Sequence, residues 1–512
     1  MSRGNANNRG SDGSPERPWK GLRSLTAILL GLAALGAMQL LPPPTGMQPA
    51  AWRTAAVACL MAIWWIGEAV PVPLTALLPI VLFPVLAILP IGAATAPYAN
   101  PLIFLFMGGF IVALAMERWN FHRRIALSIL MLTGSRQDTL IGGFMIATAS
   151  LSMWVSNTAT TVMMVPIAVS VIPLVSGTSS EALDQAPSQD PFALALLLGI
   201  AYAASVGGLG TLIGTPPNAL LAAFVLENYG YSIGFGQWML IGLPLAAVML
   251  LTVWALLTKV LFPLRKMRIP AAADEIRDEL AGLGPMSRGE KIVATTFLVT
   301  ALLWVFRPLI NDVSGLPLTD PSIAVGAALV LFLIPVDIRQ GIYAMDWQWA
   351  QRLPWGVLIL FGGGLSLAKA FSSTGLAGWI GQSMSVFGAW NEAALVLLVV
   401  SVIIFLTELT SNTATTAAFL PVLAALALSV GQNPLLLAVP AAIGASCAFM
   451  MPVATPPNAI VFGSGRVSIA QMARAGFLMN LAAIVLITGL TYTLILTVFG
   501  IHLGVIPDWA TG

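Results

Sequence analysis

Two cysteines and two histidines in 512 residues are too few for a disulfide framework or a zinc cluster, and Cys59 and Cys447 each lie deep in an apolar run. They read as small buried hydrophobes. His122 and His502 fall near the ends of apolar segments, too far apart in the pattern to form a metal pair. No histidine accompanies Ser446 in Gly444-Ala445-Ser446, and no paired ionisable residues suggest a nucleophile and its base, which argues against an intramembrane hydrolase and against an enzyme generally. Charge is scarce too: 9% of residues are Asp, Glu, Lys or Arg, and the net charge of +2 gives no reason to invoke nucleic acid. Apolar residues fill the space. They make up 58% of the chain, with a mean hydropathy of +0.90, beyond what a soluble domain of this length tolerates, so the sequence reads as an all-α polytopic membrane protein whose main partner is the lipid bilayer.

Spanning-length apolar runs lie at 22–42, 51–67, 72–91, 191–227, 232–262, 291–309, 321–336 and 469–500. The longest polar segment, 263–290, mixes both signs of charge and reads as a solvated loop helix. Arg3, Arg9, Arg17, Lys20 and Arg23 precede the first run, and Lys259, Arg265, Lys266, Arg268, Arg277, Arg288 and Lys291 surround the central loop, which places both segments in the cytoplasm. No Lys or Arg follows Arg474, so the C-terminus is expected outside. Residues 1–20 lack an apolar region of their own and read as a disordered cytoplasmic tail.

Against this background one polar hexapeptide stands out because it occurs twice. Ser-Asn-Thr-Ala-Thr-Thr is found at Ser156–Thr161 and at Ser411–Thr416, and Phe106, Gly108, Gly109 and Ala113 recur as Phe361, Gly363, Gly364 and Ala368 at the same offset of 255 (361 − 106). An offset held over so long a stretch means duplicated structure. Each half then carries a second polar punctuation, Gly214-Thr215-Pro216-Pro217-Asn218 and Ala454-Thr455-Pro456-Pro457-Asn458, now at an offset of 240 (455 − 215).

Ser, Asn and Thr in hydrocarbon need partners from protein, water or ligand. Hydrogen bonding across packed helices is one use. The proline pairs favour another, since each removes two backbone donors and forces extended backbone before it. Helices broken at membrane depth line cavities, where helix N-termini receive anions and unwound carbonyls with side-chain oxygens hold hard cations. The hydroxyls and the Asn oxygens suit sodium, while the Asn NH2 and Thr hydroxyls suit a carboxylate or sulfate oxygen. Neither motif contains Arg or Lys. A bound dianion therefore needs helix dipoles and co-bound cations to offset its charge, which argues for cation coupling. A channel is the alternative, but a site in two halves fits alternating access better.

The glycine runs Gly108-Gly109 and Gly362-Gly363-Gly364 lie in polar-interrupted segments, 100–135 and 353–382, that read as re-entrant hairpins or as helices packed closely through glycine. His122-Arg123-Arg124 places the first on the cytoplasmic side, and the second, following Trp355, is expected to open outward. Lys369 reads as a snorkelling residue or a gate. Glu68 and Glu408 must face protein or water, either as proton carriers or as structural hydrogen-bonding groups.

The paired motifs, together with Gly67-Glu68-Ala69-Val70-Pro71-Val72-Pro73-Leu74-Thr75-Ala76 and Phe104-Leu105-Phe106-Met107-Gly108-Gly109-Phe110, resemble the divalent anion:sodium symporter family of dicarboxylate and citrate carriers over about residues 50–490. The resemblance implies an inverted-repeat elevator transporter with about eleven transmembrane helices and two re-entrant hairpins, working as a homodimer in a bacterial-type inner membrane. Its expected division is scaffold over 21–99 and 231–349, transport domain over 100–230 and 350–465, and a final helix with tail over 466–512. Carried over residue by residue, it implies a sodium site at Ser152, Ser156, Asn157 and Gly214 and a second at Thr407, Thr410, Asn412 and Ala454, hence at least two Na+ per protomer. The small dianionic substrate would touch Ser156, Asn157, Thr158, Thr215, Pro216, Ser411, Asn412, Thr413, Thr455 and Pro456. The activity expected is sodium-coupled import of C4 dicarboxylates such as succinate, malate or fumarate, with sodium-independent di- or tricarboxylate exchange and sodium–sulfate symport as alternatives.

Overall fold

The computed structural model describes residues 18–176, 190–264, 269–383 and 390–510; the tail over residues 1–17 and the loop residues Arg265, Lys266 and Arg268 lie outside them. Among the described residues nine helices are long and apolar enough to cross a bilayer, shorter apolar helices accompany them, and one two-strand ribbon joins β1 (Pro335–Asp337) to β2 (Ile342–Tyr343).

Helices α1 (Pro18–Leu40) and α2 (Pro49–Gly67) form an antiparallel pair. The long α3 (Pro101–Arg118) starts at Asn100, whose Oδ1 accepts the Leu102 N–H at 3.0 Å, with proline at the first helical position. It ends at Asn120, whose positive φ of 55° turns the chain into the amphipathic α4 (Phe121–Met131). Next, α5 (Gln137–Ser152) and α6 (Asn157–Ser176) meet at a four-residue turn and both pack on α7 (Pro191–Gly208). Every residue of α7 from Phe192 to Gly208 is buried, as an all-round apolar helix requires when protein surrounds it. The chain unwinds after Gly208 and becomes helical again at Pro216 as α8 (Pro216–Tyr229), because the two prolines can start a helix but not continue one.

A middle section follows: α9 (Phe235–Ala255), the loop helix α10 (Pro270–Gly282), α11 (Arg288–Ser314) and α12 (Asp320–Leu333). The plan then repeats. After α13 (Trp355–Ser373) come α14 (Glu392–Thr407) and α15 (Asn412–Ser429), which meet at a turn and pack on α16 (Leu435–Ala445). That helix unwinds before α17 (Pro456–Gly463), and α18 (Ile469–Leu490) closes the chain against α14 and α16.

Helix–turn–helix units with Ser-Asn-Thr at their tips are α5/α6 and α14/α15; the glycine-containing segments 100–135 and 353–382 are helix–turn–helix units as well, α3 with α4 and α13 with a short helix Leu376–Ser383. Within these segments the glycines serve close packing. A Cβ on Gly108 would lie 2.5 Å from the Ala324 backbone of α12, and one on Gly363 would lie 2.2 Å from the Ala76 carbonyl oxygen. Without a hydrophobic force between helices in lipid, such close approach is what holds them together.

Ion pairs sort the helix ends onto two faces. On one, Arg118 meets Asp346 at 2.7 Å, Arg124 meets Glu290 at 2.7 Å, and Arg123 meets Glu279. On the other, Glu227 accepts from Asn100 at 3.2 Å and from Lys369 at 3.3 Å. The start of α3 and the end of α13 therefore share a face, and the two helices run antiparallel. Phe106 of α3 and Phe361 of α13, at the repeat offset, pack edge to face with centroids 5.2 Å apart. Lys369, paired with Glu227, neither reaches for the membrane surface unpartnered nor lines the cavity described next.

Candidate functional site

Between the two halves lies a cavity of about 970 Å³. Ser156, Asn157, Thr158, Gly214, Thr215 and Pro216 line it from the first half, and Thr410, Ser411, Asn412, Thr413, Ala454, Thr455 and Pro456 from the second. Every residue expected to touch sodium or substrate is there except Ser152 and Thr407, which are fully buried just behind the wall. Glu68, Glu117 and Arg352 also line the cavity, on the side of the molecule where Arg118 pairs with Asp346.

Four helices begin at this cavity: α6 at Asn157, α8 at Pro216, α15 at Asn412 and α17 at Pro456. Each presents the positive end of its dipole, equivalent to about half a charge, so four together supply roughly the charge of a dianion without any Lys or Arg in the motifs. Helices α6 and α15, which do not start on proline, also offer first-turn N–H groups, whereas the Pro-Pro starts of α8 and α17 have none. Local bonds fix these starts. The Ser156 hydroxyl accepts the Ala159 N–H at 3.1 Å, and Thr455 Oγ1 accepts the Asn458 N–H at 3.3 Å. Thr161 and Thr416, at the repeat offset, donate back to the carbonyls of Asn157 and Asn412 at 2.8 Å each. Thr215 reaches across the halves, with its hydroxyl 3.4 Å from that of Ser446.

Behind the first Ser-Asn-Thr tip, oxygens converge. Ser152 Oγ lies 2.6 Å from the inward amide atom of Asn157 and 2.7 Å from the Ala204 carbonyl, and that same amide atom is 3.3 Å from the carbonyl oxygens of Gly214 and Ala204. With the amide nitrogen turned inward, it donates to all three. With the oxygen inward, four oxygens face one another: the two 3.3 Å separations are near the about 3.4 Å between ligands at right angles and about 2.4 Å from a hard cation, while those of 2.6 and 2.7 Å are hydrogen bonds of the Ser152 hydroxyl, which would have to lengthen around an ion. The donor set fits sodium. In the second half Thr407 Oγ1 lies 2.8 Å from Asn412 Oδ1 and 2.9 Å from the Ala445 carbonyl, the same arrangement with threonine in place of serine. Thr410 differs from the expectation in one respect: its hydroxyl contacts that of Thr415 at 2.5 Å and the Leu406 carbonyl at 3.0 Å.

Sequence reasoning passed over the residues that hold the unwound segments in shape. Asn218 Nδ2 donates to the carbonyls of Gly208 (3.1 Å) and Thr211 (2.8 Å), and Asn458 Nδ2 donates to those of Ala448 (3.2 Å) and Met451 (3.1 Å), each contact shifted by the same 240 residues. The signal was present as the last letter of Thr-Pro-Pro-Asn. Gly208 was missed as well: a Cβ there would lie 3.0 Å from the Gly214 carbonyl and 3.1 Å from Asn157 Oδ1.

Residues 22–499 match the family described as the sodium:sulfate symporter transmembrane region. The chain belongs to this family. It is a multi-pass membrane transporter and not an enzyme. Among its relatives, the sodium-dependent dicarboxylate transporter SdcS of Staphylococcus saprophyticus is 43% identical over 481 residues, covering 93% of this chain and 92% of the relative. SdcS of Staphylococcus aureus strain USA300 is 43% identical over 452 residues, covering 88% and 86%. Two solved structures share the fold at low identity. Neisseria gonorrhoeae MtrF superposes with a TM-score of 0.58 at 15% identity over 96% of this chain and 98% of that one, and the Alcanivorax borkumensis YdaH transporter with 0.56 at 14% over 94% and 99%.

Proposed function

We propose that this member of the family is a sodium-coupled symporter of C4 dicarboxylates such as succinate, malate or fumarate. The observation that carries the reading is the cavity into which four helix N-termini point, backed in each half by a hydroxyl, an Asn amide and a backbone carbonyl. Dipoles receive the two carboxylates, and the oxygen clusters hold a sodium ion apiece, at least two per protomer. The substrate contacts are those of the two Ser-Asn-Thr tips with Thr215, Pro216, Thr455 and Pro456. The names of the Staphylococcus relatives support this choice of substrate and ion.

The halves are related as an inverted repeat, a relation supported by the antiparallel course of α3 and α13 and by the contact of Phe106 with Phe361. Applying the basic-residue rule to the face that carries Arg123, Arg124 and α10 puts that face, and the mouth of the cavity beside Glu117 and Arg352, in the cytoplasm. The chain is then in an inward-open state, with its N-terminus cytoplasmic and its C-terminus outside, in the bacterial plasma membrane. Transport proceeds by an elevator motion in which a domain drawn from residues 100–230 and 350–465 moves against the scaffold of a homodimer.

Uptake of labelled succinate into proteoliposomes, driven by an inward sodium gradient and repeated with choline in place of sodium, tests the reading. Sodium-dependent accumulation is expected. Equal uptake in choline points to the exchanger, and competition by sulfate but not by fumarate points to a sulfate carrier.

A further inference from the structure

Glu408 is the residue the transport reading leaves without a task. It follows Thr407 at the end of α14 and is buried, 3% exposed. Its carboxylate accepts four hydrogen bonds. Oε1 takes the N–H groups of Phe449 (2.7 Å) and Met450 (2.9 Å) and the Nδ2 of Asn480 (2.8 Å), and Oε2 takes the N–H of Met451 (3.1 Å). Three consecutive backbone donors turned onto one carboxylate form a nest, which holds a turn that would otherwise leave those groups unpaired at membrane depth.

The turn so held leads directly to the second cation site. The Met451 carbonyl accepts the Ala454 N–H at 3.1 Å and the Asn458 side chain at 3.1 Å, so the placement of Ala454 depends on the placement of Met451. On the other side α18 supports the same turn. Gly476 lies so close that a Cβ on it would come within 2.2 Å of the Phe449 carbonyl oxygen, and Asn480, four residues on and on the same helical face, completes the carboxylate's set of donors. The first half is built differently. Met153 occupies the place of Glu408 at the repeat offset, and there the link is a neutral one, from the Thr211 hydroxyl to the Met153 carbonyl at 2.5 Å.

We infer that Glu408 is a positioning residue for the second cation site, which with Asn480 of α18 sets the Phe449–Met451 turn and through it the Ala454 backbone, so that of the two sites this one is preformed by hydrogen bonds to a carboxylate. The inference rests on the sodium-coupled reading above. It assigns Glu408 no contact with substrate or ion; its effect passes through the turn.

The test compares wild type, Glu408→Gln and Asn480→Ala, each as full-length protein in proteoliposomes. Succinate uptake is measured against sodium concentration, and sodium-induced thermal stabilisation is measured in detergent. Gln keeps the acceptor on the three-donor corner and turns an NH2 against the Met451 N–H. Losing that charge-assisted contact should raise the half-saturating sodium concentration about tenfold. The maximal rate at saturating sodium should stay within about twofold, and the sodium dependence of the thermal shift should move by the same factor. Asn480→Ala removes one donor of four and should raise the half-saturation by a smaller factor, roughly threefold. Glu408→Gln with wild-type half-saturation, or with a lower maximal rate and unchanged half-saturation, overturns the inference. Should Glu408→Gln fail to fold, Asn480→Ala decides, and an unchanged sodium response there overturns it equally. Wild-type uptake indifferent to sodium would instead overturn the proposed function, so the two failures are separable.

Discussion

At Asn157 the inward amide atom has only oxygens for neighbours, Ser152 Oγ and the carbonyls of Ala204 and Gly214, so its task is either to donate to them or to join them around a cation. In the proposed sodium-coupled reading, removing that amide deletes an ion ligand while leaving the helix start capped by Ser156. Asn157→Ala and Asn412→Ala should each raise the sodium concentration for half-maximal uptake by about tenfold or more, the factor that the loss of roughly 1.5–3 kcal/mol of charge-assisted contact implies. Sodium titrations of succinate uptake check this, and an unchanged half-saturation in both variants removes these oxygens from the ion site. A sharper contrast comes from the residues that close the two sites. Gly214→Ala places a Cβ 2.5 Å from the Gly208 carbonyl oxygen, backbone that cannot yield, whereas the second half already carries Ala454 at the matching position. Gly214→Ala should abolish sodium-driven uptake and Ala454→Gly should leave it within about threefold, roughly the effect of an ordinary backbone substitution of under 1 kcal/mol. Vesicle uptake distinguishes the two; equal tolerance at both positions would mean that the first site is looser than its geometry. At this scale the sequence was legible wherever a residue was both polar and duplicated. It was not legible for Gly208 and Ala204, whose contributions are a missing Cβ and a main-chain oxygen and leave no mark in residue type.

The elements carry the charge argument. Because the motifs lack Arg and Lys, helix N-termini and sodium must offset the substrate, and the dianion should be the species bound. As pH falls toward the second carboxyl pKa of free succinate, the dianion fraction falls, and uptake should fall with it; a steady rise through that range would identify the monoanion as the cargo. The unwound segments between α7 and α8 and between α16 and α17 depend on Asn218 and Asn458. Replacing either by Ala takes the side-chain donor from the Gly208 or Ala448 carbonyl, while the Thr211 and Met451 carbonyls keep the N–H groups of Gly214 and Ala454, and this should destabilise the protein by about 1–3 kcal/mol and lower its unfolding temperature in detergent. An unfolding temperature equal to wild type in both variants would show that water or a neighbour replaces the amide. Element identity was only partly legible. The broken helices were readable, since proline pairs in apolar runs have a single local meaning, and the segments of the glycine runs do turn back on themselves, but that the turns at the cavity are those of α5/α6 and α14/α15 was not read. In lipid a glycine marks close approach as readily as a turn, and Gly108 against Ala324 and Gly363 against Ala76 are approaches whose partners lie far off in the sequence. The turns at the cavity coincide with Ser-Asn-Thr, where new helices start and the Ser156 hydroxyl caps the first.

For the whole molecule, what matters is which side reaches the cavity. Its lining includes Glu68, Glu117 and Arg352, all near the face of the Arg118–Asp346 pair. On the far face Glu227, at the end of the α8 that begins at the site, is tied to Asn100 of α3 and Lys369 of α13. Access from that side requires α8 to part from both helices. Thr158 is exposed to the cavity and Thr413 nearly buried, at 8%. In a background carrying Cys59→Ala and Cys447→Ala, a cysteine at 158 should react with an impermeant thiol reagent from the cytoplasmic side in the state described here, and sodium with succinate should shift its reactivity toward the outside. A cysteine at 413 should change in the same sense if both tips move as one body. Glu227→Gln weakens the tie on the far face and should increase outside labelling at both positions in the absence of substrate, because removing one partner of a closed pair shifts the balance toward the state that lacks it. Labelling confined to one side under every condition would rule out alternating access. Simultaneous labelling from both sides would mean a continuous pore, which the tie between α8, α3 and α13 opposes. The elevator reading alone requires the two tips to exchange sides together.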